Sequence, residues 1–98
     1  MLDTLQCSDF AAHLGQHFRI QLDGIEPIDL ELVSAQESGE AANGKRQPFT
    51  LLFLGSESPR YLLQHIYRLH HSEMGELDVF IVPIGPEGKR MRYEAIFS

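Results

Sequence analysis

The sequence predicts a mostly β fold: about six antiparallel strands in a meander that forms a small barrel or sandwich, with one short N-terminal helix. Three observations carry this. Apolar and polar residues alternate with a period of two from residue 16 to the C-terminus, the mark of half-buried strands. Turn-forming residues interrupt that alternation at short intervals: Asp23-Gly24, Asn43-Gly44, Met74-Gly75 and the run GPEGK at 85–89. The chain has 98 residues, so residues 1–98 are expected to form a single domain around one core, with no internal repeat.

The helix is expected over 8–15. Ser8 can cap it, Asp9 suits the positive first turn, and Gly15 suits the C-terminal stop. Phe10 and Leu14 lie four apart and would share a face, and so short a helix must lie against something apolar. In the first strand Phe18, Ile20 and Leu22 alternate with His17, Arg19 and Gln21. In the second, beyond Pro27, Ile28, Leu30 and Leu32 alternate with Asp29 and Glu31. Residues 36–48 contain no aromatic and no branched aliphatic side chain, and read as a flexible loop or a hairpin tip turning at Asn43-Gly44. A third strand, 49–54, is apolar at nearly every position, and Gly55 begins a break that runs to Pro59. A fourth covers 66–71 and a fifth 77–84, joined through Glu73-Met74-Gly75. In the sixth, Met91, Tyr93, Ala95 and Phe97 alternate with Arg92, Glu94 and Ile96.

One feature exceeds simple alternation. Phe49, Leu51, Phe53, Leu77, Val79, Ile81, Tyr93 and Phe97 make one apolar set. Leu52, Leu54, Phe80, Val82, Ile84 and Ile96 make a second that points to the opposite face. A sheet solvated on one side does not carry so many large apolar residues there without a cover. The expected cover inside the chain is the helix with Leu2 and Leu5, together with residues 61–63. Outside it, the expected cover is a protein partner, with a homodimer as one form.

Composition narrows the function classes. Fourteen acids against eight bases give a net charge of −6, and the bases are scattered, which disfavours nucleic-acid binding. The longest apolar run, 79–84, is far shorter than the roughly 20 residues of a membrane helix. The start MLDTLQCSDF has an acid where a signal peptide carries positive charge, so the expected setting is cytoplasmic, with no membrane role. A single cysteine, Cys7, leaves no internal disulfide and no cysteine-rich zinc site, and reads as a small half-buried apolar residue.

The stretch HIYRLHHSEMG, 65–75, holds three of the five histidines. On a straight strand His65 and His71 point the same way but stand roughly 20 Å apart, while neighbours His70 and His71 face opposite sides. A metal site on His65, His70 and His71, with His13 or His17 assisting, would need a bulge or bend. The simpler reading makes His71 the end of an inward row with Tyr67 and Leu69. His70 then continues the outer row with Arg68, and His65 begins the strand at the surface. Asp29 and Glu31 share a strand face about 7 Å apart, within the range of paired hydrolytic carboxylates, but solvated strand faces look the same. No serine lies in a nucleophile-elbow pattern, no glycine cluster has phosphate-binding spacing, and Cys7 has no basic neighbour. The expectation is a non-enzymatic protein without a cofactor, with a small-molecule- or metal-binding β-barrel as the alternative.

Gln64, Tyr67, Leu69, His71, Gly75, Leu77, Phe80, Val82 and Pro83, followed by Tyr93, Ala95 and Phe97, resemble an uncharacterised bacterial family of small proteins, a domain of unknown function. Its pattern is QxIYRLxHxxxGELxxFxVPxGP followed by YEAxF. The likeness extends to Asp9, Phe10, Gly15 and 48–55, nearly the whole chain. Ser72 stands where the family often has proline, and 61–63 replaces a more proline-rich stretch. The resemblance supplies no activity. It implies an interaction or assembly role, as an accessory to phage-tail-like or tail-fibre/collar-type proteins. Gln64 and His71, the family's polar positions beside the fourth strand, are read as strand-end hydrogen bonders.

Overall fold

The structure is a computed structural model that describes residues 5–24, 26–39, 47–57 and 61–97. It contains α1 (Cys7–Ala11) and six strands: β1 (His17–Ile20), β2 (Ile28–Glu37), β3 (Phe49–Glu57), β4 (His65–His71), β5 (Gly75–Glu87) and β6 (Arg90–Phe97). All strand pairs are antiparallel and close a barrel in the order β1-β2-β3-β6-β5-β4, with β4 returning to β1. The predicted β class therefore holds, and of the two forms expected, barrel or sandwich, the barrel is the one present. The order departs from a nearest-neighbour meander at one connection: β3 lies beside β6, and the chain crosses the barrel end before β4 begins, as in a Greek key.

Helix α1 is shorter than the predicted 8–15. Gln6, not Ser8, is the N-cap, and its backbone N–H donates to Asp9 Oδ2 at 2.7 Å. The chain leaves the helix at Ala12 because it must turn into β1. Gly15, at φ +83°, donates its N–H to the Leu32 carbonyl at 2.7 Å. Leu14 consequently lies in the turn, 49% exposed, and does not share the buried face of Phe10.

The inner face is built by the alternation itself. Phe18, Ile20, Leu30, Leu32, Phe49, Leu51, Phe53, Leu69, Val79, Ile81, Tyr93 and Ala95 are all buried. In β2 the register shifts between Leu32 and Ser34, so Leu32 faces Phe53 and Ala35 faces Leu51. Two inward residues three apart need an extra residue between them, and Val33 supplies it as a bulge. β2 and β3 run on past the predicted strand ends. Glu37 pairs with Phe49, and Ser38 N–H donates to the Pro48 carbonyl, so the hairpin form of 36–48 is present at its base. Its tip at Asn43-Gly44 lies outside the described residues.

Gly55, read as a strand breaker, is buried inside β3 instead. A Cβ there would stand 3.3 Å from the Tyr93 ring, so the missing side chain is what lets β3 run beneath Tyr93. The run 85–89 is likewise mostly strand: only Gly88-Lys89 turns. Gly88 has φ +63° and Lys89 has none of the positive φ reserved here to glycines, the pattern of a two-residue II′ hairpin.

The two barrel ends are closed by the two segments expected to cover the outer apolar set. Phe10 of α1 plugs one end, its ring 6.4 Å from Phe18, 5.7 Å from Phe49 and 5.5 Å from Phe97. Leu62 is buried at the other end, where its N–H donates to the Tyr93 hydroxyl at 2.9 Å. An open barrel end exposes core aromatics, and burying them there removes more apolar area from water than a place on the outer wall would. Leu5 packs on the core, and Leu2 lies outside the described residues. The expected internal cover of the second apolar set is thus corrected. No described helix is long and apolar enough to cross a membrane.

Candidate functional site

The histidines do not converge. His65 is exposed and its ring meets Tyr67 edge-on at 5.4 Å. His70 is on the outer wall, its Nδ1 3.2 Å from Glu76 Oε2, beside the exposed Arg68–Asp78 pair at 2.9 Å. His71 points inward, as its place after Tyr67 and Leu69 predicts. It is stacked on Phe18 at 4.6 Å and lies 4.4 Å from the His13 ring. Its Nδ1 accepts backbone N–H groups from Glu73 and Met74, both at 3.1 Å, so the proton of the neutral ring sits on Nε2 and is donated to Gln16 Oε1 at 2.6 Å. The same Gln16 oxygen is 3.0 Å from His13 Nδ1. His71 is therefore the knot that ties the β4–β5 turn to the chain entering β1. Burial, and next the facing His13, depress its pKa below 6.5, with Glu73 opposing. Among the described residues no three His, Cys, Asp or Glu side chains stand together as a metal site would require.

The paired acids are also engaged separately. Asp29 is bidentate with Arg19, at 2.9 and 3.3 Å, and that hydrogen bond holds its carboxyl below the usual range. Glu31 takes Arg90 Nη2 at 3.0 Å, while Arg90 Nε donates to the Gly55 carbonyl at 2.6 Å. Each acid is thus held by its own arginine. Cys7 is buried, and that burial raises its pKa, with Glu37 adding to the effect, so its thiolate is disfavoured.

Of the six residues singled out on the second face, Leu52, Leu54 and Val82 are half-buried, and Phe80, Ile84 and Ile96 are exposed. Their arrangement is more specific than the sequence indicated. Leu52 and Val82 both pair with Glu94, and Leu54 pairs with Arg92, so charged β6 residues divide that part of the wall. Further along, the wall is apolar across β4 and β5, and Ile96 adds an exposed apolar residue on β6 just past the end of the β5–β6 pairing. Ile66 of β4 is directly opposite Phe80 of β5, and Phe80 and Ile96 each stand two residues beyond the Val82–Glu94 pair. Ile66 is 60% exposed, Phe80 48% and Ile96 67%. Ile66 is the member sequence reasoning missed. Its signal was present, since it alternates out of phase with Tyr67 and Leu69, but at the first position of a strand it was not counted with the outer set.

The tyrosine end of the barrel carries the other concave feature, a cleft of about 260 Å³ between the β1–β2 connection, β3, residues 61–63 and the inner ends of β4 and β6. Tyr61, Tyr67 and Tyr93 line it with Leu22, Ile28 and Met91, and among the described residues Glu26 is the charged one. The Tyr67 hydroxyl donates to the Leu63 carbonyl at 2.7 Å. No local sequence signal assembles these residues, because they come from five segments joined only by the barrel.

Residues 5–97 match the family model described as Domain of unknown function (DUF6916). The chain belongs to DUF6916. The match takes in α1 and all six strands, so the DUF6916 domain and the barrel are the same unit. No curated protein and no solved structure matches the chain.

Proposed function

We propose that this DUF6916 chain is a non-enzymatic interaction or assembly module, and that the outer wall of β4, β5 and β6 is where another protein docks. The observation that carries the reading is the row Ile66, Phe80, Ile96, three large apolar side chains on adjacent strands, each about half exposed or more. Single exposed apolar residues are ordinary on a soluble protein, whereas several grouped on neighbouring strands mark a contact surface. The separate engagement of Asp29, Glu31 and the histidines supports the non-enzymatic half of the proposal.

For the partner, the family resemblance supports a tail-fibre or collar-type protein of a phage-tail-like assembly. A second copy of the chain is the other occupant the row would accept. The acidic balance and one buried thiol suit a reducing, cytoplasmic setting.

Methyl NMR tests this. The Ile66 and Ile96 methyl signals are followed as the chain is concentrated alone, and then with a tail-fibre or collar-type protein of a phage-tail-like assembly. Broadening or shifts confined to those methyls and Phe80 are expected in one of the two series. Unchanged signals in both, or changes only at the barrel ends, would overturn the docking face.

A further inference from the structure

The cleft at the tyrosine end has the features of a ligand site separate from the docking wall, and we propose that it binds a single aromatic ring that carries a hydrogen-bond acceptor and is neutral or cationic. Size comes first. At about 260 Å³ the cleft falls just below the roughly 300 Å³ at which sites for drug-sized ligands begin, a size that suits one ring with a short substituent. Its walls suit a ring: Leu22, Ile28 and Met91 give aliphatic and sulfur contacts, and Tyr61 and Tyr67 give aromatic faces and edges. Gly55 contributes a wall without a side chain, where a Cβ would stand 3.3 Å from the Tyr93 ring.

The acceptor requirement comes from Tyr93. Its buried hydroxyl accepts the Leu62 N–H at 2.9 Å, and its own hydrogen meets no acceptor among the described residues. A buried hydroxyl whose hydrogen finds no acceptor among the described residues favours a partner that supplies an oxygen or nitrogen lone pair. The Tyr67 hydroxyl, by contrast, already donates to the Leu63 carbonyl. The charge requirement comes from Glu26, the charged residue among the described residues lining the cleft, on a chain of net charge −6. An anion entering there meets like charge, while an ammonium group meets a carboxylate beside tyrosine rings.

Two probes that share a phenol ring and differ in tail charge, tyramine and 4-hydroxyphenylacetate, separate these requirements, with phenol as the neutral reference. The full chain is titrated with each while backbone amide shifts are recorded. Saturable shifts at Ser56, Leu62, Leu63 and Tyr67 are expected with phenol and tyramine. Tyramine should bind about tenfold tighter than 4-hydroxyphenylacetate, a ratio within reach of one partly solvated charge contact. Glu26→Gln, at an exposed position, should leave the fold intact and remove most of that ratio, and Tyr93→Phe should weaken phenol and tyramine alike. No saturable shift at millimolar probe, equal binding of the two charged probes, or shifts on the outer wall instead would overturn the proposal. The Glu26→Gln result keeps it testable even if Tyr93→Phe unfolds.

Discussion

The two ends of the barrel are closed by different chemistry. At the helix end four phenylalanine rings pack together, Phe49 and Phe97 stacked at 4.7 Å, and the imidazole beside them has both nitrogens engaged. At the tyrosine end one aliphatic residue, Leu62, forms the lid, held by a hydroxyl, and a cleft remains. Rings without polar atoms can fill an end completely and add only stability. Tyrosines bring hydroxyls that must be served, so the end they close keeps polar groups and space that a ligand can use. The helix end is therefore read as structural and the tyrosine end as available.

The largest expected effect breaks the helix end. Phe10→Ala empties a site walled by three rings and should lower unfolding free energy by about 3–5 kcal/mol in denaturant titration, a large share of the roughly 5–15 kcal/mol typical of a domain. A loss under about 1 kcal/mol would mean that α1 does not plug the barrel. At the opposite end, Tyr93→Phe leaves the Leu62 N–H without its acceptor and should remove about 1–3 kcal/mol. If it removed as much as Phe10→Ala, the contrast between the ends would be lost.

The helix end should also be the pH-sensitive one. The depressed pKa of His71 means that the folded chain holds this ring neutral, with Nδ1 accepting two turn N–H groups. Its contribution to stability is fully present above pH 6.5, the unfolded value, and is lost as pH falls through the lower folded value, because the unfolded chain then takes up the proton more readily. Denaturation midpoints measured from pH 8 downward should decline below 6.5. His71→Gln should flatten that part of the decline; an unchanged profile would remove His71 as its source. The smallest expected effect is on the outer wall, where Ile66→Ser should change stability by no more than about 0.5 kcal/mol.

Much of the barrel was legible in the sequence, because each strand buries one face and the period-two signal records that directly. His71 was legible for the same reason, as the inward partner of Tyr67 and Leu69. Other features depended on distant residues. Gly55 reads locally as a breaker, and only the Tyr93 ring above it explains its place within a strand. The adjacency of β3 and β6 leaves no mark in either strand, since alternation fixes which face is buried and not which neighbour is paired. The predicted helical reach to Leu14 failed because the chain has to turn at Gly15 to meet Leu32. The outer apolar set was visible, but the placing of Ile66 opposite Phe80 required the register.

The central claim is that this row serves a partner and not the fold. The most direct measurement pairs thermal unfolding with association for one variant, Phe80→Ser/Ile96→Ser. The expected result is a midpoint close to that of the parent chain, with loss of the Ile66 methyl shift and of any concentration-dependent or partner-dependent mass. A sharp fall in the midpoint, or association that persists unchanged, would contradict it.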